Sequence, residues 1–416
     1  MKHLYSLRLI IGVLLLIFPA TSLFLKGGAG LIFLFVFLIS LWGLLRSRPE
    51  IADIWTESEI RTVCLVLIMP VLAVFASQAY HQEFDLPAYD GPFRYVLVIP
   101  ILLYLSMLSP LVLSIIQYGF IAGAYACLIF VLLFHDVSGG QGKGFFPDGI
   151  HFGGLALLFG MMSITSLDWG ARDKVGVRLL KFSGLLAGMY ASFATGARGA
   201  WLAIPLVLLF VWRVKAPGLS RRSSMVWLIS VLCVPILLYG MVDIVHHRVD
   251  EGVRHLQAFM DGGRDSAEGI RLQQWRASWH VIASNPWFGT GTVSFGAAFD
   301  ELVQQGIISG KALHLSYGEL HNDLLSAAVR YGVVGLLAAL MLYLVPLRYF
   351  IRAARSGDKC REVPGLMGAI LIISVAVYGF TVEFLNLKMI IMFYALALAV
   401  LLAAALPKRY RCDPAR

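Results

Sequence analysis

The sequence predicts an all-α polytopic membrane protein of about twelve transmembrane helices with one large outer loop, and three observations predict it. Of 416 residues, 59% are hydrophobic and only 14% charged, with a mean hydropathy of +0.78. Soluble proteins are roughly 45–50% apolar and about 25% charged. Apolar runs of spanning length recur near 9–25, 28–45, 62–80, 94–108, 111–134, 151–167, 180–196, 200–212, 225–244, 323–346, 364–384 and 388–406. A single long polar stretch, 245–320, interrupts them. Each run is read as a helix, because lipid offers the backbone no hydrogen-bonding partner. This composition excludes a water-soluble enzyme, a disordered chain and a nucleic-acid reader with a large basic face.

The start of the chain, Met1, Lys2, His3 and Arg8 before an apolar run, looks like a signal peptide. It lacks a convincing small-residue cleavage site and is read as a retained first span. With the N-terminus inside and twelve alternations, the inside segments hold 22 of the 34 Lys and Arg. Loop 81–93, assigned outside, has Glu83, Asp85 and Asp90 and no basic residue. This is the positive-inside pattern. It predicts both termini in the cytoplasm and 245–320 on the periplasmic or outer side. The chain is therefore divided into spans one to nine (1–244), a large periplasmic loop with membrane-surface helices (245–320), and spans ten to twelve with a cytoplasmic tail (321–416).

The net charge of +9 and pI near 9.3 follow from those inside loops. The outer loop itself is not a basic patch, with six Lys and Arg against eight Asp and Glu. Any arginine acting there acts by position. The cysteines offer no paired framework: Cys64, Cys127 and Cys233 lie in apolar runs, Cys360 and Cys412 in basic segments, and no disulfide is expected.

Several chemistries are struck off. Gly139-Gly140-Gln141-Gly142-Lys143-Gly144 lacks the spacing, the preceding strand and the Ser or Thr of a phosphate loop. Gly291-Thr292-Val293-Ser294-Phe295-Gly296 has one residue too many for a nucleophile elbow. Asp243, His246 and His247 have poor metal geometry, since adjacent histidines on a helix diverge.

What remains lies at the outer face. His321-Asn322-Asp323 opens the tenth span, with Gly332 and Gly335 within it. Asn322 or Asp323 caps the helix, leaving His321 in or just before the first turn. The helix dipole there disfavours an imidazolium, so a neutral His321 is suited to act as a general base. Its bland alternative is an interfacial histidine bonded to loop backbone. Arg198 sits in the tight outer turn Thr195-Gly196-Ala197-Arg198-Gly199-Ala200-Trp201-Leu202. An arginine at that depth is costly unless paired or bound to an anion; the bland alternative is snorkelling to headgroups. From Glu268 to His280, Leu272, Trp275 and Trp279 share a helical face with Ile282, bordered by Arg271. Such a helix would lie along the membrane surface with its indoles at headgroup level, where Arg271 could meet a lipid diphosphate. Arg330, two turns after Asp323, and Glu383 and Lys388 beside the last outer turn either form structural pairs or line a polar cavity.

Together these residues resemble the O-antigen ligase family, membrane glycosyltransferases related to O-antigen polymerases. His321-Asn322, nine residues, then Gly332-Val333-Val334-Gly335 is similar to its His-Asn/Ser/Gln, nine, Gly-x-x-Gly motif. Arg198-Gly199-Ala200-Trp201-Leu202 fits Arg-x-x-x-Leu. The stretch from Arg271 through Trp275 to Pro286-Trp287-Phe288-Gly289-Thr290-Gly291 resembles the family's large outer loop, while Leu336 departs from the Thr common after the second Gly. The resemblance implies a GT-C-like membrane glycosyltransferase in a Gram-negative inner membrane. It implies transfer of O-antigen polysaccharide from undecaprenyl diphosphate to lipid A–core oligosaccharide at the outer leaflet, with no metal, nucleotide or nucleic acid.

The residue chemistry agrees with that reading. Arg198 and Arg271, and secondarily Arg254 and Arg264, would stabilise the leaving diphosphate. His321 would take the acceptor's proton. Asn322, Arg330 and Lys388 are further substrate-binding candidates. A direct displacement inverts the anomeric centre. Competing readings are an O-antigen polymerase or a protein O-glycosylating ligase using the same donor. In a different class stands a lipid-linked sugar transporter, against which no internal repeat or paired broken helices are found.

Overall fold

The computed structural model describes residues 2–25, 27–46, 54–55, 57–134, 149–316 and 319–407. Among them there is no strand. Ten helices are long and apolar enough to cross a membrane. We number the helices α1 (Lys2–Phe24), α2 (Gly28–Arg46), α3 (Ser58–His81), α4 (Asp90–Ser106), α5 (Ile116–Leu133), α6 (Gly149–Thr165), α7 (Val175–Ala194), α8 (Ala203–Lys215) and α9 (Arg221–Met241). After these come α10 (Asp243–Met260), α11 (Ala267–Ser284), α12 (Phe295–Gln304), α13 (Gly310–Ser316), α14 (Asp323–Ala354), α15 (Lys359–Tyr378) and α16 (Lys388–Ala405). The ten are α1–α5, α8, α9 and α14–α16. At the two other positions where spans were expected stand α6, apolar but only 17 residues, and α7, 20 residues with Arg178 and Lys181 in it.

The bundle is organised around α16 and α6. The α16 span is 83% buried, and α6 buries every residue from His151 to Ser163. Helices with lipid-like surfaces gain little from hydrophobicity among themselves, so close approach through small residues matters. At the α6–α7 crossing, a Cβ on Gly188 would fall 2.4 Å from Ala156 O and 2.8 Å from the Gly160 Cα. At the end opposite the site, Lys181 is fully buried yet compensated: Nζ lies 2.8 Å from Asp173 Oδ2 and donates to Gln117 Oε1 (2.6 Å) and Ser166 O (2.8 Å). By contrast α9 is only 6% buried and lies at the periphery, against α8 and α10.

The polar stretch folds into a cap with its own core. Ile270, Ala277 and Val281 of α11 pack with Phe295, Phe299, Leu302, Ile308, Ala312, Leu320 and Val329. The helix expected at the membrane surface is α11, and its polar side is the one that packs against the rest of the cap. The face of α11 that turns inward carries Gln273, Gln274 and Ser278, while Trp279 is exposed. The glutamines are buried because they tie loops: Gln273 Oε1 accepts from Ser309 N (2.8 Å), and its Nε2 donates to Arg264 O (2.7 Å). Cys360 is disulfide-bonded, against expectation, whereas Cys64, Cys127 and Cys233 are free. The Gly139–Gly144 segment lies outside the described residues.

Candidate active site

The turn before α8 places Arg198. Gly196 adopts φ +68°, and a Cβ there would sit 2.7 Å from the Arg248 Nε, so the missing side chain admits a second guanidinium. A Cβ on Gly199 would fall 2.2 Å from Thr381 Oγ1, which lets the turn press against the connection between α15 and α16. Arg198 is a quarter exposed; its Nη1 donates to Arg248 O (2.8 Å) and its Nη2 lies 2.9 Å from Glu268 Oε1. Glu251 lies 3.9 Å from Arg198 and 2.9 Å from Arg248. The Arg248 hydrogen bond holds the Glu251 carboxyl below its ordinary value against the opposing effect of burial, with Arg198 adding to it. Around Arg198 opens a cavity of about 660 Å³, to which Arg248, Glu268, Arg271 and Thr381 contribute polar groups. Its walls are otherwise mainly apolar, from Leu202 just before α8 and from α8 and α9 residues such as Ile204, Pro235 and Ile236.

His321 lies just before the helix, at φ 52°, a left-handed backbone that His tolerates better than most residues. Asn322 is the N-cap: its Oδ1 accepts from Leu324 N and Leu325 N, each at 3.0 Å. The His321 Nδ1 is buried and lies 3.1 Å from Glu319 Oε1, close enough to pair although off the axis of an aligned hydrogen bond. Glu319 Oε1 also accepts from Glu383 N at 2.7 Å. Burial pushes the Glu319 carboxyl up, but the contact and charge of His321 and the Glu383 amide outweigh it and hold the group below its usual range. Nδ1 thus faces a carboxylate, and Nε2 is the ring nitrogen turned to neither Glu319 oxygen and the candidate for a substrate.

The glycines explain how this station is fixed. At Gly332 (φ 65°, ψ −154°) α14 breaks. Val333 N donates to Pro286 O (2.8 Å) instead of to its own helix. The Val329 and Arg330 carbonyls freed by the break accept from Thr290 N (2.9 Å) and Gly291 N (3.0 Å). Gly289 and Gly332 let the two backbones touch, since a Cβ on either would come within 2.5 Å of the other strand of chain. The Pro286–Gly291 turn and the Gly-x-x-Gly segment are therefore one docked unit.

Of the residues singled out from sequence, Arg198 and Arg271 line one cavity. His321 does not line it; it stands behind the α15–α16 connection, whose Thr381 faces the cavity and whose Glu383 holds Glu319. Arg330 and Lys388 line a second cleft of about 360 Å³ with Asp90, Asp323, Tyr95, Tyr343 and Glu383. Arg330 pairs with the nearly buried Glu383 (3.0 Å), and Lys388 with Asp90. Arg254 and Arg264 are exposed and face neither cavity, and Asn322 is buried with its oxygen spent on capping. Sequence reasoning passed over Glu268, Arg248 and Glu319. Only the two-residue spacing of Glu319 from His321 and the one-turn spacing of Glu268 from Arg271 could have pointed to them.

All these groups lie at one end of the bundle, at the starts of α14 and α16 and the ends of α7 and α15. The class so defined is a multi-pass membrane protein with an arginine-lined, largely apolar cavity beside a carboxylate-held histidine. A family model described as O-antigen ligase matches residues 183–340, the segment that holds Arg198, Arg271, His321 and both glycines. The O-antigen ligase of Escherichia coli is 22% identical over 190 residues, 45% of this chain and 44% of that protein. An uncharacterized protein of Haemophilus influenzae is 25% identical over 309 residues, 71% of this chain and 74% of that protein. Over this segment the chain is similar to the O-antigen ligase family.

Proposed function

We propose that the protein transfers O-antigen polysaccharide from undecaprenyl diphosphate to a sugar hydroxyl of lipid A–core oligosaccharide, at the periplasmic face of the inner membrane. In this reading it is a GT-C-like enzyme with twelve spans, α6 and α7 included, both termini in the cytoplasm, and 245–320 as the periplasmic cap. The observation that carries it is the convergence of Arg198 and Arg271, from two separate elements, on one largely apolar cavity. Such a cavity suits a diphosphate carried on an isoprenoid chain. The acceptor oxygen attacks the anomeric carbon, its proton passes to His321 Nε2, and the bond to phosphate breaks with its electron pair leaving on the diphosphate. The arginines meet the charge that develops there, and Glu319 fixes the imidazole through Nδ1. Binding of both substrates would tighten the catalytic contacts and bring the His321 ring and the cavity arginines to one reacting centre.

The test is lipopolysaccharide from a strain lacking the protein. The expected result is loss of the polymer ladder while undecaprenyl-linked polymer accumulates. Loss of the polymer itself would make the protein a polymerase, and an unchanged ladder would end both readings.

A further inference from the structure

Arg198 in the cavity is not bare: Glu268 Oε1 lies 2.9 Å from its Nη2, and Glu268 Oε2 is hydrogen-bonded to His255 Nδ1. Glu268 and Arg271 stand one turn apart on α11 and both line the cavity. Ser266 caps that helix by accepting from Gly269 N at 3.1 Å, which fixes the turn carrying Glu268. Each oxygen of Glu268 thus has a different partner, a guanidinium inside the cavity and an imidazole that does not line it.

Resting on the reading of this cavity as a lipid-diphosphate site, we propose that Glu268 is its resident anion, that the donor's diphosphate replaces Glu268 on Arg198, and that His255 retains the displaced carboxylate. A guanidinium edge that holds a carboxylate cannot give the same N–H groups to a phosphate. The other amino group of Arg198 is already committed to Arg248 O at 2.8 Å, so the Nη2 edge is the one in contention. Three arginines (198, 248, 271) against two glutamates (251, 268) leave the cavity cluster at a formal +1, too little to match a diphosphate diester with one negative charge on each phosphorus. Moving Glu268 off Arg198 raises the charge offered to the ligand, and a rotation about the His255 contact does this without breaking a covalent bond. Paired in this way, the glutamate keeps an arginine beside apolar walls from standing uncompensated. Glu268 is in this account a positioning residue that acts through Arg198.

The experiment uses the full chain in phospholipid nanodiscs titrated with undecaprenyl diphosphate. Glu268→Gln should bind it about three- to tenfold more tightly, because a fraction of the protein no longer has its arginine occupied. In transfer assays KM for the donor should fall while kcat does not rise. His255→Ala should weaken binding about threefold when Glu268 is present and have no effect in the Glu268→Gln background. A merely structural Glu268 predicts the reverse: equal or weaker binding in Glu268→Gln, and that result overturns the exchange while leaving the diphosphate site standing. A wild-type protein that binds no undecaprenyl diphosphate overturns the cavity assignment and the exchange together. Should Glu268→Gln fail to fold, His255→Ala decides alone, and unchanged affinity overturns the exchange.

Discussion

His321 combines a left-handed backbone, a cap beside it and a carboxylate on its buried nitrogen. The proposed base role and the backbone role can be separated. His321→Ala should lower transfer by roughly a hundred- to ten-thousandfold with donor binding largely kept. His321→Asn, whose side chain tolerates the same φ, should be equally inactive but fold normally. Near-normal turnover in a purified His321→Asn protein would remove the histidine from the chemistry. Glu319→Gln should cut kcat by roughly ten- to a thousandfold by freeing the ring. Because the Glu319 carboxyl is held below its ordinary value, its stabilising contribution is full above that ordinary value and is lost as pH falls through the lowered one. The difference in thermal stability between wild type and Glu319→Gln should accordingly be present near neutral pH and shrink as pH falls below the ordinary glutamate range, as thermal scans across pH would show. Arg198→Lys should lose donor affinity and turnover together, since an ammonium cannot reproduce the forked guanidinium that reaches both Arg248 O and Glu268. Full activity in that variant would reduce Arg198 to a point charge.

At the scale of elements, the break in α14 is the structural device on which the histidine depends. Two carbonyls and one amide released at Gly332 are all satisfied by the Pro286–Gly291 turn, so the break leaves none of these groups bare. Gly332→Ala would put a Cβ 2.3 Å from the Trp287 backbone at a positive φ. We expect a cost of about 1–3 kcal/mol, a lower Tm and loss of transfer, because the turn and the cap that holds Gln274 against Glu319 O (3.4 Å) shift together. A thermal scan paired with a transfer assay checks this, and an unaltered Tm would show the docking to be dispensable. The cap core around Phe295, Phe299 and Leu302, which reaches Val329 of α14, makes the polar stretch a packed unit seated on that helix.

For the whole molecule, the positive-inside pattern predicts the sidedness. A membrane-impermeant maleimide should label Gln305→Cys, exposed on the cap, in cells whose outer membrane alone is permeabilised. Under the same conditions Ser220→Cys, exposed on the loop between α8 and α9, should stay unlabelled; both variants carry Cys233→Ser. The opposite pattern would invert the protein and place the candidate site in the cytoplasm.

Much of this protein was set by local rules that a linear reading can apply. Spanning runs are legible because lipid forces helix on any long apolar stretch. Arg198, Arg271 and His321 stood out because isolated charge and helix-boundary polarity are expensive in such a setting. Asn322 was legible as a cap because capping is a contact between near neighbours. The partners were decided only by tertiary structure. Glu268 meets Arg198 from 70 positions away, and Glu383 holds both Arg330 and the Glu319 contact from the far side of α14 and α15. Charge pairing across such separations is set by which helices pack together, and one-dimensional spacing carries no record of it. The burial of the polar side of α11 was decided in the same way. Buried glutamines become favourable once particular loop carbonyls and amides arrive opposite them, and the fold, not the helix's own periodicity, brings them there.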